Sequence, residues 1–173
     1  MKKFLALIAM TVFSVSAVAH GPTPQKIDDR IIIKAEPAQA WAMIKDYKNV
    51  QKWLPTVKSV EIQKEGADIF RTLTLKSGGK IKERIKSVDD DNMKIKFEVL
   101  EGGSFSNYNP YISVKKGPNA RESEVRFFHR FYRQFPNNPP IPEGQDEAAA
   151  IQFITDTYLP GNKNLKKVLE NSK

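Results

Sequence analysis

Alternating hydrophobic and polar residues dominate the middle of the chain. Between Val57 and Arg133 six such runs follow one another, separated by turn segments rich in glycine, aspartate and asparagine. An earlier run of the same kind, "KIDDRIIIKA", begins near Lys26. This period of two predicts a curved antiparallel sheet of about seven strands, in which the last six form a meander.

Helical spacing of apolar residues occurs in two places. After the first strand, Pro37 opens "PAQAWAMIKDY", and "NVQKWLPTV" continues to a proline break, which predicts two short helices. From about Asp146 to Glu170 the spacing predicts a long C-terminal helix, kinked near Pro160 and Gly161. Only the concave face of the sheet is long enough to cover that helix. We therefore expect an α+β fold in which the sheet wraps around the C-terminal helix.

The first residues are typical of a secretory signal. A basic start precedes a short apolar stretch and the small-residue site Ala17-Val18-Ala19, so residues 1–19 are predicted to be a signal peptide. Residues 20–25, "HGPTPQ", are predicted to be an extended arm, because closely spaced prolines disfavour helices and sheet interiors. The predicted signal indicates export to the periplasm. Its apolar stretch is shorter than the roughly 20 apolar residues of a spanning helix, so we do not expect the protein to span the membrane.

Charge narrows the classes of partner. The chain carries 28 basic and 20 acidic side chains, a formal net charge of +8, which becomes +6 when Lys2 and Lys3 leave with the signal. Export disfavours nucleic acid, so we expect an acidic protein partner, with a merely solvated basic surface as the alternative. The chain contains no cysteine, so an ordinary core must stabilise it without disulfides.

Four polar side chains share a strand face with apolar neighbours. They are Arg71, Glu83, Tyr108 and His129, each in phase with aliphatic or aromatic residues nearby. Unpaired buried charge is strongly unfavourable, so these groups should either neutralise one another or line a wet cavity that receives a polar ligand. Both interpretations stay open at this level.

The opposite face of two neighbouring strands is rich in cations. A dense surface of one sign favours docking of an acidic partner and raises the association rate. The alternative is a solvated face whose lysines protect a sheet edge. The predicted docking residues are Lys80, Lys82, Arg84, Lys86, Lys94 and Lys96.

Several segments resemble a known family. "KAEPAQAWAMIKDYKNVQKWLPTVKSVEI", "FRTLTLKSGGKIKERIKSVDDD" and "SNYNPYISV" are similar to the polyketide cyclase/START-like (SRPBCC) superfamily, which implies a helix-grip fold and a single START-like domain over 26–173. Within it, "HGPTPQK", "FYRQFPNNPP" and "GNKNLKKVLE" resemble the periplasmic MxaD-type proteins associated with methanol oxidation. That resemblance implies a noncatalytic accessory protein that assists electron transfer from a quinoprotein methanol or alcohol dehydrogenase to its acidic cytochrome c.

Comparison with the plant hormone receptors of the superfamily implies pocket positions. Glu83 resembles a ligand-contacting glutamate, Tyr108 a pocket tyrosine and Asn164 a pocket asparagine of the last helix. His129 falls where the receptors carry a second glutamate. The receptors' gate and latch sequences are missing, so hormone binding is not implied. A second function stays open: a periplasmic carrier for a small hydrophobic ligand whose polar end contacts these four residues and Arg71.

Catalysis and metal binding have weaker support in the sequence. Glu83 and His129 could act as general acid and base. The chain lacks a cysteine nucleophile, a phosphate-binding glycine loop and a metal-ligand cluster, so we expect neither enzyme activity nor a cofactor. His20 would become the first residue after cleavage, where its amine and imidazole could bind Cu(II) together with His129. The favoured alternative is that His20 merely follows the cleavage site.

Overall fold

The computed structural model describes residues 21–171. The predicted signal peptide and His20 lie outside the described residues, as do 172–173. Eight antiparallel strands form one sheet. The strands are β1 Gln25–Ile33, β2 Val57–Glu65, β3 Asp68–Leu75, β4 Lys80–Asp89, β5 Lys94–Glu101, β6 Phe105–Ser106, β7 Tyr111–Lys116 and β8 Ser123–Arg133.

The order of the strands is β1-β8-β7-β5-β4-β3-β2, with the short β6 paired only to β8. The meander of consecutive strands is therefore confirmed, and β1 completes the sheet by pairing with β8. Strand β7 begins later than its pattern suggests. Pro110 lacks the backbone N–H that a ladder needs, and Tyr108 before it makes only an isolated bridge with Val99.

In the described part of the chain, four helical segments accompany the sheet: α1 Pro37–Lys45, a 3₁₀ helix Tyr47–Lys52, α2 Glu147–Thr157 and α3 Leu159–Asn171. The predicted kink is a break between α2 and α3 at Tyr158. Proline is tolerated in the first turn of a helix, where Pro160 lies, but not in a continuous interior. The α+β helix-grip class is confirmed. Within residues 21–171, no helix is both long and apolar enough to cross a membrane.

The core lies between the concave face of the sheet and the helices. Ile81 of β4, Phe131 of β8 and Leu165 of α3 are among its fully buried side chains. Helix α3 lies close to the segment after the 3₁₀ helix because Gly161 has no side chain. A Cβ at Gly161 would lie 3.0 Å from the Trp53 ring. This close approach places the Trp53 ring at one side of the interior, against α3.

Two irregularities in the β4–β5 ladder change which side chains share a face. Ile85 pairs with Phe97, but the next pair is Ser87 with Lys96, so Lys86 lies in a bulge. A second register shift in β5 places Glu101 opposite Lys82. The outer face of β4 and β5 therefore differs from the simple alternation of the sequence.

Candidate functional site

A small cavity lies inside the grip of the sheet. Its volume is about 30 Å³, which is room for about two water molecules. Aromatic and aliphatic side chains form most of the wall, including Trp53 and Phe127. Four of the five residues predicted for a ligand cavity line it: Arg71, Glu83, Tyr108 and His129.

Arg71 and Glu83 form a buried ion pair across β3 and β4. Their side chains are 5% and 1% exposed, and the Arg71 Nε and Nη2 atoms lie 2.7 and 2.5 Å from Glu83 Oε2. The Arg71 Nη1 atom donates to the backbone carbonyl of Tyr47 at 3.1 Å, and the guanidinium carbon lies 4.6 Å from the Phe97 ring centre. The two charges thus neutralise each other inside the cavity wall.

The second carboxylate oxygen of Glu83 is also occupied. The Tyr158 hydroxyl, at the break between α2 and α3, donates to Glu83 Oε1 at 3.2 Å. Burial and the nearby Glu83 charge raise the pKa of Tyr158 well above its usual value, so the hydroxyl keeps its proton. The helical pattern places Tyr158 on an apolar face, and only the folded chain brings it to Glu83.

Tyr108 and His129 form the other polar pair of the cavity. The Tyr108 oxygen lies 2.5 Å from His129 Nδ1. Burial, followed by the Glu83 charge, raises the pKa of Tyr108 well above 10. Burial lowers the pKa of His129 from 6.5 to about 4, although Asp29 acts in the opposite direction. The Tyr108 hydroxyl has no other hydrogen-bond partner among the described residues, so we assign it as the donor to His129 Nδ1, which places the imidazole proton on Nε2.

Two N–H groups of the cavity wall have no acceptor among the described residues. They are Trp53 Nε1 and His129 Nε2, and both side chains are about 95% buried. Sequence reasoning missed Trp53, because no local pattern shows whether a buried indole has a partner. The chain's other tryptophan differs, since Trp41 Nε1 donates to Asp90 at 2.7 Å.

Asn164 has another place in the structure. Its amide donates to the backbone carbonyl of Trp53 at 3.0 Å, and Asn164 is not among the residues that line the cavity. It therefore positions a wall residue and makes no direct contribution to the wall. Of the two histidines in the copper hypothesis, only His129 is described, and its Nδ1 is engaged by Tyr108.

The outer face of the sheet is less uniformly basic than the alternation predicts. Arg84 forms an ion pair with Glu98 of β5, and Lys82 faces Glu101 in the register of β4 with β5. Arg84 is therefore neutralised locally, whereas Lys82 forms no ion pair with the described residues. Docking by the six predicted residues stays a prediction. Lys80, the first residue of β4, is exposed at its end.

The remaining cations gather around Tyr111 on the outer face. We define the basic patch as Lys86, Lys94, Lys96 and Lys115, of which Lys115 on β7 was not predicted. The Lys94 ammonium lies 4.0 Å from the centre of the Tyr111 ring. Lysines 94, 96 and 115 line a surface depression of about 430 Å³, and Lys86 lines a neighbouring one of about 190 Å³. Both depressions are bordered by Tyr111.

Residues 24–170 match the family model described as polyketide cyclase / dehydrase and lipid transport. The chain belongs to this family. The match covers most of the chain and includes the cavity and the basic patch, so both features lie within its polyketide cyclase/dehydrase domain. No curated protein matches the chain significantly.

Solved structures resemble the chain in fold. The protein XoxI of Bacillus cereus is 23% identical, with a TM-score of 0.69 over 84% of this chain and 96% of its own. The Zhui aromatase/cyclase of a Streptomyces species is 13% identical, with a TM-score of 0.65 over 86% and 92%. Norcoclaurine synthase of Thalictrum flavum is 16% identical, with a TM-score of 0.67 over 99% of both chains. The last two of these proteins are named as enzymes, and identities this low establish a likeness in fold alone.

Proposed function

We propose that the protein is a noncatalytic periplasmic accessory protein that docks an acidic redox partner through the basic patch. The observation that carries this proposal is the state of the four lysines. Lys94 and Lys115 lie opposite Asp89 and Glu124 in the strand register, but none of the four lysines forms an ion pair with a residue of the described range 21–171. Arg84 and Arg126 on the same face are paired with carboxylates. Unpaired cations on one face attract an acidic surface and accelerate its association.

The centre of the patch suits a protein interface. The rings of Tyr111 and Phe128 stack with their centres 4.9 Å apart, which gives an aromatic surface bordered by charge. Aromatic residues are enriched at the centres of interfaces, and charged residues are tolerated at the rim. The proposed partner is a quinoprotein alcohol dehydrogenase or its cytochrome c. That choice rests on the MxaD-type segments and on the predicted signal peptide.

The interior supports a noncatalytic role. Glu83 is held by Arg71 and Tyr158, so its carboxylate is not free to accept a proton from a substrate. His129 is a weak base, because burial lowers its pKa to about 4. General acid–base catalysis works best when the pKa of the catalytic group lies near the working pH.

The test is electron transfer from a purified dehydrogenase to its cytochrome c, with and without this protein, over a range of salt concentrations. We expect stimulation at low salt that declines toward physiological salt, since the screening length falls from about 30 Å at 0.01 M to about 8 Å at 0.15 M. No stimulation at any ionic strength would contradict the proposal.

A second candidate function is the binding of a small molecule in the cavity, and the two unpaired N–H groups favour it. A buried donor without an acceptor is unfavourable by about 1–3 kcal/mol, which a bound acceptor would recover. Native mass spectrometry of protein purified from its own host would detect such a molecule. A mass equal to that of the chain alone would count against this function.

A further inference from the structure

The larger depression on the outer face contains a hydroxyl that the fold leaves unused. Ser113 of β7 lines this depression and is only 9% exposed, yet its hydroxyl makes no hydrogen bond with any residue of 21–171. A buried polar group without a partner is unfavourable, and a bound molecule can supply the missing bond. The volume of about 430 Å³ lies within the range of ligand sites, roughly 300–1,000 Å³. The Ser113 hydroxyl therefore indicates a binding site on this face.

The strand register surrounds this hydroxyl with cations. Lys94 of β5 and Arg126 of β8 lie directly opposite Ser113 on its two neighbouring strands, so all three side chains point to the same face. The Cβ atoms of such opposite residues are about 4.5–5.5 Å apart. Lys115, two residues further along β7, points to the same face and lines the same depression. Three cations thus flank one hydroxyl.

The nearest carboxylates are already bound by other groups. Asp89 lines the depression, but its oxygens accept from the backbone N–H and the side-chain amide of Asn92 at 3.0 and 2.9 Å. Glu124 lies opposite Lys115, but its Oε1 atom lies 3.7 Å from Arg30 Nη1. Four cationic side chains and only one carboxylate line the depression. An excess of positive charge therefore remains for an anion from outside the chain.

Two of the cations are held in place before any partner binds. Arg126 Nε and Nη2 donate to the two oxygens of Asp28 at 2.7 Å each. The Lys94 ammonium lies 4.0 Å from the centre of the Tyr111 ring, which is itself stacked on Phe128. Groups that are ordered in advance lose less conformational entropy on binding. Ammonium and hydroxyl groups both donate, so the complement of this wall is an oxyanion.

We propose that the depression binds a carboxylate from an acidic segment of the partner, whose oxygens accept hydrogen bonds from the Ser113 hydroxyl and the Lys94 and Lys115 ammonium groups. This inference rests on the proposed function and names the group that the basic patch recognises. Steering by the patch needs only charge, whereas this contact forms after the encounter. A neutral residue, Ser113, thus contributes to how long the complex lasts.

A short peptide tests the site without a redox partner. The probe is tri-aspartate with an acetylated start and an amidated end, and the matched control is tri-asparagine with the same ends, which has nearly the same shape without the charge. Each is titrated at constant ionic strength into the ¹⁵N-labelled protein, and the backbone amide signals of Ser113 and Lys94 are followed. We expect tri-aspartate to shift both signals in a saturable way and tri-asparagine to leave them unchanged.

Three variants isolate the hydroxyl. Ser113→Ala removes it without changing the charge and should weaken tri-aspartate binding about three- to tenfold. Ser113→Thr keeps a hydroxyl and should retain most of the affinity, and Ser59→Ala, at an exposed position of the edge strand β2, should retain all of it. In stopped-flow experiments with the redox partner, Ser113→Ala should raise the dissociation rate by the same factor and leave the association rate unchanged.

The melting temperature separates binding from structure. Because the hydroxyl has no partner among residues 21–171, Ser113→Ala should melt no lower than the unmodified protein. A lower melting temperature would assign the lost affinity to altered structure and contradict the inference.

The remaining outcomes distinguish this inference from the proposed function. If Ser113→Ala binds tri-aspartate as tightly as the unmodified protein, or if tri-asparagine binds equally well, the inference is wrong, while steering by charge and the proposed function survive. If tri-aspartate binds through Ser113 but neither the dehydrogenase nor the cytochrome c associates with the protein, the carboxylate site stands and the proposed function is wrong.

Discussion

The buried charge of Glu83 is stabilised by three donor contacts from two side chains. Two come from Arg71 and one from Tyr158, and the remaining Arg71 contact goes to the backbone of Tyr47. Each partner comes from a different element, so the ion pair links β3, β4, the 3₁₀ helix and the C-terminal helices. A buried ion pair contributes little net stability, so we expect this one mainly to specify one arrangement of these elements.

Removing one partner of this pair should be far worse than removing both. We expect Arg71→Met to lower the free energy of unfolding by about 3–5 kcal/mol, because Glu83 would remain buried and unpaired. The double variant Arg71→Met/Glu83→Leu should recover much of that loss. Urea unfolding measures both. Arg84→Met, which breaks the half-exposed pair with Glu98 of the neighbouring strand β5, should have only a small effect. Equal losses for Arg71→Met and Arg84→Met would contradict this account.

His129 should make stability depend on pH. Its pKa is about 4 in the folded state and about 6.5 in the unfolded state, so the unfolded chain binds more protons between these values. Stability is therefore complete above about pH 6.5 and is lost as the pH falls toward 4. At pH 5 the loss should be about 2 kcal/mol. Urea unfolding at pH 7 and pH 5 tests this, with His129→Gln as the control that should lose much less. An equal loss in both proteins would assign the effect to other groups.

Strand alternation predicted Arg71, Glu83, Tyr108 and His129 as inward groups, because the direction of a strand side chain is a local property. The same reasoning could not find Trp53. Its indole N–H is notable only because no acceptor for it lies among residues 21–171, and that depends on tertiary packing. The resemblance to hormone receptors suggested a cavity position for Asn164, whose amide instead contacts the Trp53 carbonyl.

At the scale of the elements, the strands and their order were predictable and the bulges were not. Turn residues separate the strands, and each strand carries its own alternation, so a meander is the simplest connection. An extra residue in a strand hardly disturbs that pattern. These irregularities nevertheless determine which charges meet: the bulge at Lys86 places Glu98 beside Arg84, and the shift before Glu101 places Glu101 opposite Lys82. The uniform basic surface expected from alternation is interrupted for this reason.

Gly102, just after β5, allows the close approach that ends the β4–β5 ladder. Its φ is +89°, and a Cβ there would lie 2.0 Å from the Lys80 carbonyl oxygen. We expect Gly102→Ala to lower the free energy of unfolding by about 3 kcal/mol, since a backbone contact cannot move aside as a side chain does. Gly66→Ala is the matched control: φ is +59° but the surrounding space is open, so a loss of about 1 kcal/mol is expected. Thermal or urea unfolding compares the two. Similar losses would mean that strain in φ, not the contact, accounts for the effect.

At the scale of the whole molecule, the interior and the outer face differ in how much unpaired charge they carry. Within the described part of the chain, paired charges and aromatic rings line an interior cavity of about 30 Å³, so any ligand inside it is small. The outer face instead offers unpaired lysines around stacked aromatic rings. Net charge alone does not distinguish the patch from the rest of a basic protein. The question is therefore whether association with the acidic partner depends on where the lysines lie or only on the net charge of the protein.

Two double variants with the same change in net charge answer that question. Lys96→Glu/Lys115→Glu reverses two exposed positions of the basic patch, and Lys163→Glu/Lys167→Glu reverses two exposed positions on α3. We expect the patch variant to slow association with the acidic partner about tenfold at low salt and to flatten its salt dependence, because steering depends on the local field. The α3 variant should associate nearly as fast as the unmodified protein. Stopped-flow association rates at several salt concentrations provide the measurement, and melting curves verify that both variants fold. If the two variants slow association equally, the overall charge drives the encounter and the basic patch is not a docking site.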